Sequence, residues 1–143
     1  MIKSKNKIVL AGGCFDILHF GHIHFLKKAK SFGNYLIVAL ESDKNIKRLK
    51  GEGRPFNNQK QRKEILESLR FVDEVTVLKD HMTDKDYMDL VTKIKPSIIA
   101  ITKGDLIKKL KQKQAERVGA KIIEIKKIPF LSSSLLSKII PKF

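Results

Sequence analysis

Short apolar runs alternate with amphipathic segments along the whole chain. Five runs have the length of buried strands, at residues 7–11, 35–40, 72–78, 97–102 and 120–125. Five other segments repeat apolar residues every three or four positions, as amphipathic helices do, at 20–32, 59–70, 87–94, 106–118 and 132–140. This alternation predicts an α/β fold, a single Rossmann-like doubly wound five-stranded parallel sheet with helices on both faces.

Doubly wound sheets bind ligands outside the carboxyl ends of their strands, where the strand order reverses. The segments that follow predicted strands are therefore the places to look for chemistry. These are residues 12–22, 41–57 and 102–105, and the segment just before Ser132.

The first of these loops reads Gly12-Gly-Cys-Phe-Asp-Ile-Leu-His-Phe-Gly-His22. It lacks both the Gly-x-Gly-x-x-Gly fingerprint of dinucleotide-binding folds and the Lys-Ser/Thr ending of a P-loop, which argues against a dehydrogenase and a P-loop NTPase. His22 would stand at the first turn of a helix, where backbone N–H groups and the helix dipole favour an anion. The loop thus predicts a phosphate site around His19 and His22.

Gly-x-Phe-Asp followed by His-x-Gly-His resembles the signature of the nucleotidyltransferase superfamily that includes the cytidylyltransferases. Three further segments resemble motifs of that family in the same order: the Arg62–Val75 helix and strand, the Lys103-Gly-Asp105 loop, and Leu131-Ser-Ser-Ser-Leu-Leu136. Class I aminoacyl-tRNA synthetases share His-x-Gly-His but are far longer and carry a second lysine motif that is absent here. The resemblance implies transfer of a nucleotidyl group from a nucleoside triphosphate to a phosphorylated acceptor, with release of pyrophosphate.

The resemblance also implies roles for individual residues. His19 and His22 would bind the triphosphate and stabilise the developing pyrophosphate, Lys50 would swing in on a flexible loop, and Arg62 would contact the acceptor phosphate or close the site. Nucleotide contacts are implied for Gly13, Cys14, Phe15, Asp16, Gly21, Gly104, Asp105, Lys127, Ser132, Ser133 and Ser134. Mg²⁺ would be bound mainly through the triphosphate, without a protein metal site. His24 and His81 have no such context and are expected to take no part.

One segment departs from the cytidylyltransferase pattern. Arg-Thr-x-Gly-Ile-Ser-Thr-Thr is replaced by Lys127-Ile-Pro-Phe-Leu-Ser-Ser-Ser134, which looks more like the archaeal FAD synthases. The Lys103-Gly-Asp105 loop also resembles the heptose type of sugar-phosphate adenylyltransferase. Because both relatives use ATP, we expect AMP transfer, with FMN favoured as the acceptor because Ile128, Phe130 and Leu131 would form an apolar wall. Adenylyl transfer to a sugar phosphate and cytidylyl transfer to glycerol 3-phosphate remain alternatives.

Composition further restricts the domain organisation and the possible function. The chain has 143 residues, of which 42% are apolar, so residues 1–143 are expected to form one domain. A net charge of +15 raises the possibility of a nucleic-acid-binding module, but 7% aromatic content and no tryptophan serve base stacking poorly. A single cysteine and the lack of a signal-like or membrane-spanning run predict a cytoplasmic protein without a disulfide. The family resemblance weakly implies a homodimer.

Overall fold

A computed structural model describes residues 6–128 and 133–139. Its centre is one five-stranded, all-parallel sheet with the order β3-β2-β1-β4-β5. The strands are β1 (Ile8–Gly13), β2 (Tyr35–Leu40), β3 (Glu74–Val77), β4 (Ile98–Thr102) and β5 (Lys121–Ile125). The predicted fold class is therefore confirmed, and the strand order reverses between β1 and β4.

Helices cover both faces of the sheet because side chains along a strand point alternately to opposite sides. Val9 and Val38 belong to one apolar cluster, whereas Leu10 and Ile37 belong to the other. The described helices are α1 (Phe20–Ser31), α2 (Asp43–Lys50), α3 (Gln59–Glu67), α4 (Asp84–Ile94), α5 (Lys108–Val118) and α6 (Ser133–Ile139). Buried apolar residues of α1 and α3 belong to the first cluster and those of α4 and α5 to the second.

Helix α2 was not predicted, because the sequence pattern assigns residues 41–57 to a loop. Ser42 caps the helix by accepting a hydrogen bond from the Asn45 amide at 3.1 Å, and Ile46 is its only buried residue. One buried apolar residue in eight gives no helical periodicity that the sequence pattern could reveal. The correction matters for Lys50, which ends a helix rather than lying within a flexible loop.

The other elements match the prediction with small shifts at their ends. Helix α4 begins at Asp84 instead of residue 87, because Thr83 and Asp86 form a reciprocal capping box that the apolar pattern does not register. Strand β3 spans four residues instead of seven. In the part of the chain that the structure describes, no helix is both long and apolar enough to cross a bilayer.

Candidate functional site

A cavity of about 270 Å³ opens at the carboxyl ends of β1, β4 and β5. It lies where the strand order reverses, as expected for this architecture. Its lining contains many of the residues that sequence analysis selected: Gly13, Cys14, Phe15, His19, Gly21, His22, Lys50, Lys127 and Ser133. We refer to it below as the histidine cavity.

The two histidines cap the first turn of α1 and stack on each other. Nδ1 of His19 accepts a hydrogen bond from the Gly21 amide at 3.0 Å, and Nδ1 of His22 accepts one from the His19 amide at 3.3 Å. The ring centroids are 4.0 Å apart. Because a neutral imidazole whose Nδ1 accepts a hydrogen bond carries its proton on Nε2, the backbone sets the tautomer of both rings.

This tautomer leaves a donor without a partner on a residue that lines the cavity. Nε2 of His19 is buried and has no hydrogen-bond partner among residues 6–128 and 133–139. A buried donor without a partner is costly, so such a group points to a ligand that accepts a hydrogen bond there. An anionic oxygen is well suited, since the N-terminus of α1 adds its dipole.

Both histidines are neutral at physiological pH. Burial, the neighbouring His19 ring and Lys50 lower the pKa of His22 to about 4, and burial together with Lys50 lowers the pKa of His19. Each ring is thus neutral in the absence of an anion, although a backbone hydrogen bond with Ile17 partly opposes the lowering of the His22 pKa. A bound anion would reverse part of the shift, because an opposite charge favours the protonated form.

The backbone before the histidines is strained and tightly packed. Phe15 adopts a φ of 45°, and its ring meets the His22 ring edge-on with centroids 5.3 Å apart. A Cβ atom on Gly13 would lie 2.8 Å from the Phe15 ring. Glycine is therefore required at residue 13, and the strain at Phe15 fixes the loop that holds His22.

Two cations converge on the first residue of α6. Lys50 Nζ and Arg54 Nη2 donate hydrogen bonds to the Ser133 hydroxyl at 2.9 and 3.0 Å, respectively. Burial lowers the pKa of Lys50, and nearby Arg54 and Lys127 add to this effect. The end of α2 and the start of α6 thus bring concentrated positive charge to the mouth of the cavity.

Asp16 does not line the cavity, although the family resemblance implies that it lies beside the phosphates. Its carboxylate is 1% exposed and accepts hydrogen bonds from Arg54 Nε at 2.8 Å and from the amides of Phe56 and Asn57. In this structure Asp16 therefore holds the segment after α2 in place and orients Arg54.

Arg62 is likewise buried, with an exposure of 0%. Its guanidinium donates to the carbonyls of Asn57, Cys14 and Glu41 at 2.9 Å each and to the carboxylate of Asp43. Direct contact with an acceptor, as the resemblance implies, does not fit a side chain in this position. The geometry makes Arg62 a positioning residue that joins the loop after β1 to the end of β2.

Three other predicted residues stand apart from the histidine cavity. Gly104 turns the chain with a φ of 87°, and Asp105 accepts hydrogen bonds from Lys111 and from the Ile107 amide at 2.7 and 2.9 Å. Ser134 is exposed on α6. Ser132, together with Phe130 and Leu131 of the predicted apolar wall, lies outside the described residues.

Cys14 lies in the lining but is not a nucleophile in this environment. Burial raises the pKa of its thiol, with Lys50 opposing the shift, so the protonated form is favoured at neutral pH. It packs as a small residue between two cavities.

Sequence reasoning missed several residues of the site. His24, expected to take no part, lines the cavity, as do Thr102 and Lys126. Arg54 was also missed. A signal was present for His24, because it lies three residues after Gly21 on α1 and residues three apart share a helix face. No local pattern marks Arg54, whose partners Asp16 and Ser133 are 38 and 79 residues away.

Two further cavities adjoin this site. One of about 230 Å³, the apolar cavity, shares Gly12, Gly13 and Cys14 with the histidine cavity and extends toward α4 and α5. Another of about 270 Å³, the polar cavity, shares Glu41 and Tyr87 with the apolar cavity and includes His81. His81 was also expected to take no part.

Comparisons with known proteins agree with this geometry. The family model described as cytidylyltransferase-like matches residues 10–139. The chain is 41% identical over 142 residues to the bifunctional protein HldE of Campylobacter concisus and 43% identical over 142 residues to that of Campylobacter jejuni subsp. jejuni. These alignments cover 98% of this chain and 28% of each relative, so the chain spans little more than a quarter of their length.

Solved structures show the same fold. A lipopolysaccharide core biosynthesis protein from Thermoplasma volcanium superposes with a TM-score of 0.73 and 29% identity, covering 87% of this chain and 99% of that one. A bifunctional NMN adenylyltransferase/ADP ribose pyrophosphatase from Francisella tularensis has a TM-score of 0.72 and 17% identity, covering 94% of this chain and 42% of that one. From the match to its family model, the chain belongs to the cytidylyltransferase-like family of nucleotidyltransferases.

Proposed function

We propose that this protein transfers an adenylyl group from ATP to a sugar phosphate and releases pyrophosphate. The observation that carries the proposal is the buried Nε2 donor of His19, which has no partner among the described residues and belongs to a side chain that lines a cavity with Lys50, Lys127 and the start of α1. A cavity with this charge and these donors suits a triphosphate.

The choice of acceptor rests on the relatives. A lipopolysaccharide core is built from sugars, and the protein from Thermoplasma volcanium with that role is similar over 87% of this chain. The Lys103-Gly-Asp105 loop resembles the heptose type of adenylyltransferase. These two observations favour a sugar phosphate over FMN, and they leave a role in FAD biosynthesis without support.

The proposed reaction is an in-line displacement. An oxygen of the acceptor phosphate forms a bond to the α-phosphorus of ATP while the bond between the α-phosphorus and the bridging oxygen breaks, and pyrophosphate leaves. Catalysis in such reactions is mostly positioning and charge stabilisation. His19 and His22 would donate hydrogen bonds to phosphate oxygens, and Lys50 would exchange the Ser133 hydroxyl for a phosphate oxygen, strengthening its contact as negative charge develops.

Mg²⁺ would enter with the triphosphate. In the described part of the chain, no group of three or more His, Cys, Asp or Glu side chains is placed to hold a metal ion. A magnesium ion bound mainly through phosphate oxygens would supply charge neutralisation. The side chains of the histidine cavity would then orient the phosphates.

A pyrophosphate-release assay tests this proposal. Purified protein with Mg²⁺ is offered ATP, CTP, GTP or UTP in combination with hexose or heptose 1-phosphates, FMN or glycerol 3-phosphate. We expect the highest kcat/KM for ATP with a sugar 1-phosphate. Turnover confined to ATP with FMN, or to CTP with glycerol 3-phosphate, would support nucleotidyl transfer but contradict the proposed sugar-phosphate acceptor.

A further inference from the structure

The three cavities adjoin one another near the carboxyl edge of the sheet and share lining residues. Gly13 and Cys14 separate the histidine cavity from the apolar cavity, and Glu41 and Tyr87 separate the apolar cavity from the polar cavity. The Glu41 amide also donates to the Gly13 carbonyl at 3.0 Å, which ties the end of β2 to the loop that carries the histidines. Cys14 and Glu41 both line the apolar cavity, so an acceptor that occupies this cavity would lie beside both residues.

Glu41 is the centre of a half-buried polar cluster at that boundary. Its Oε1 accepts a hydrogen bond from the Tyr87 hydroxyl at 3.0 Å, and its Oε2 accepts one from Asn45 Nδ2 at 2.6 Å. Each carboxylate oxygen has a second lone pair, and the Tyr87 oxygen can still accept a hydrogen bond. The two contacts hold Glu41 in a fixed orientation and leave acceptor sites available to a ligand.

The charges around the polar cavity are largely compensated. Lys79 pairs with Asp86 at 3.1 Å, Asp80 lies 3.8 Å from Lys44, and Arg48 donates to Asn45 Oδ1 at 2.5 Å. His81 also faces this cavity. Because most of these charges are paired, the polar cavity does not favour an anionic or an ammonium ligand. Neutral ligand hydroxyls can exchange hydrogen bonds with its polar groups.

We infer that Glu41, Asn45 and Tyr87 recognise the hydroxyl groups of the acceptor, which makes the acceptor a polyhydroxylated phosphate. The inference rests on the proposed function. The negative charge of Glu41 repels a phosphate, so the phosphate lies toward Lys50 and the histidines while the hydroxyls face Glu41. A site that pairs with ligand hydroxyls disfavours an analogue lacking them, because the analogue covers the remaining acceptor positions of Glu41 and Tyr87 without supplying a hydrogen bond.

The test compares a sugar 1-phosphate with cyclohexyl phosphate, which keeps a six-membered ring and the phosphate but has no other hydroxyl. Wild-type protein, Glu41→Gln and Tyr87→Phe are assayed for kcat/KM with ATP and each acceptor. Asp89→Asn serves as the control, because Asp89 is exposed on the same helix as Tyr87 and lines none of the three cavities. Thermal unfolding confirms that each variant is folded.

We expect wild-type protein and Asp89→Asn to prefer the sugar phosphate by about 100-fold or more, and each cluster variant to lose about tenfold of that preference. The ATP KM should change less than twofold in all four proteins. The ratio of two acceptors is insensitive to the fraction of active protein, so partial misfolding cannot imitate the result.

An unchanged preference in both cluster variants would overturn this inference and leave the proposed function standing. Equal use of the two acceptors by the wild-type protein would also overturn it. Turnover with FMN and with no sugar phosphate would overturn the proposed acceptor, and this inference with it.

Discussion

At the scale of single residues, His19 serves two roles with its two ring nitrogens. Nδ1 accepts a hydrogen bond from the Gly21 amide and caps α1, while the buried Nε2 has no partner in the described part of the chain. The cap can be preserved without a donor at the position of Nε2, because asparagine is also a preferred N-cap residue and its shorter side chain does not extend as far as Nε2. The two roles are therefore separable by mutation.

His19→Asn should lower kcat by about 10²-fold or more, the scale expected for the loss of one preorganised donor to a developing anion. The unfolding temperature should stay close to that of the wild type. Steady-state kinetics and thermal unfolding measure the two effects. Asn58→Ser, a cap exchange at the exposed start of α3, is the matched control and should keep wild-type kcat. Wild-type turnover in His19→Asn would refute the role of Nε2.

The pKa of His22 offers a second test at this scale. In the free protein its ring should titrate near pH 4 instead of near 6.5. Because its folded-state pKa lies below the unfolded value, His22 stabilises the fold above pH 6.5, and that stabilisation falls as the pH drops toward 4. NMR titration of the imidazole protons should also show the pKa rising when ATP binds. A ring that titrates at its ordinary value in the free protein contradicts the buried, neutral histidine described here.

Arg62 shows why burial is hard to predict from a local pattern. An arginine on a predicted amphipathic helix is expected to face solvent or a ligand. Here it is fully buried because three carbonyls and one carboxylate, from segments up to 48 residues away, surround the guanidinium. These partners come together only through tertiary structure, so a motif could locate Arg62 but could not define its contacts.

At the scale of elements, α2 carries Lys50 to the cavity and is followed by two glycines with positive φ angles. Gly51 and Gly53 adopt φ values of 93° and 80°, which glycine tolerates best. Lys50, held by Ser133 in this structure, is placed to change partners when phosphates bind.

Lys50→Ala should lower kcat more than it raises the KM for ATP, because Lys50 contributes most when both substrates are in place. Lys47→Ala is the matched control on the same helix, where its ammonium is exposed and lies 3.5 Å from Glu52. Steady-state kinetics with both substrates varied separate the two parameters. An increase in KM for ATP with kcat unchanged would show that Lys50 contributes only to initial binding.

The pairing of Arg54 with Asp16 connects three elements: the loop before α1, the segment after α2 and the start of α6. Both side chains are buried, and Arg54 also reaches Ser137 at 3.4 Å. Removing one partner of a buried pair leaves an uncompensated charge and costs about 3 kcal/mol. Arg54→Gln should therefore lower the free energy of unfolding by about that amount.

Urea denaturation measures the effect of Arg54→Gln. Lys85→Gln removes an exposed pair with Asp89 and should leave the unfolding midpoint unchanged. Arg54→Lys should recover part of the stability, since it restores a charge without the planar group that contacts Asp16 and Ser133 together. A stable Arg54→Gln protein would contradict the account of this connection.

At the scale of the whole molecule, alternating apolar segments predict the sheet because buried parallel strands leave a strong and repeated signal. The loop that carries His19 follows β1, where the strand order reverses. Its motif could therefore be assigned to a binding site. Helix α2, with Ile46 as its only buried residue, and Arg54, whose partners are distant in sequence, leave no comparable signal. Contacts between residues distant in sequence, and the shapes of the adjoining cavities, could be determined only from the structure.

Product analysis by phosphorus NMR tests the central claim most directly, because it identifies the bond formed as well as the leaving group. Protein, Mg²⁺, ATP and a sugar 1-phosphate are incubated and followed over time. The account predicts two coupled diphosphate signals of an ADP-sugar, which grow together with an equal amount of pyrophosphate. Formation of ADP and inorganic phosphate, or an unchanged spectrum with every sugar phosphate tried, would contradict it.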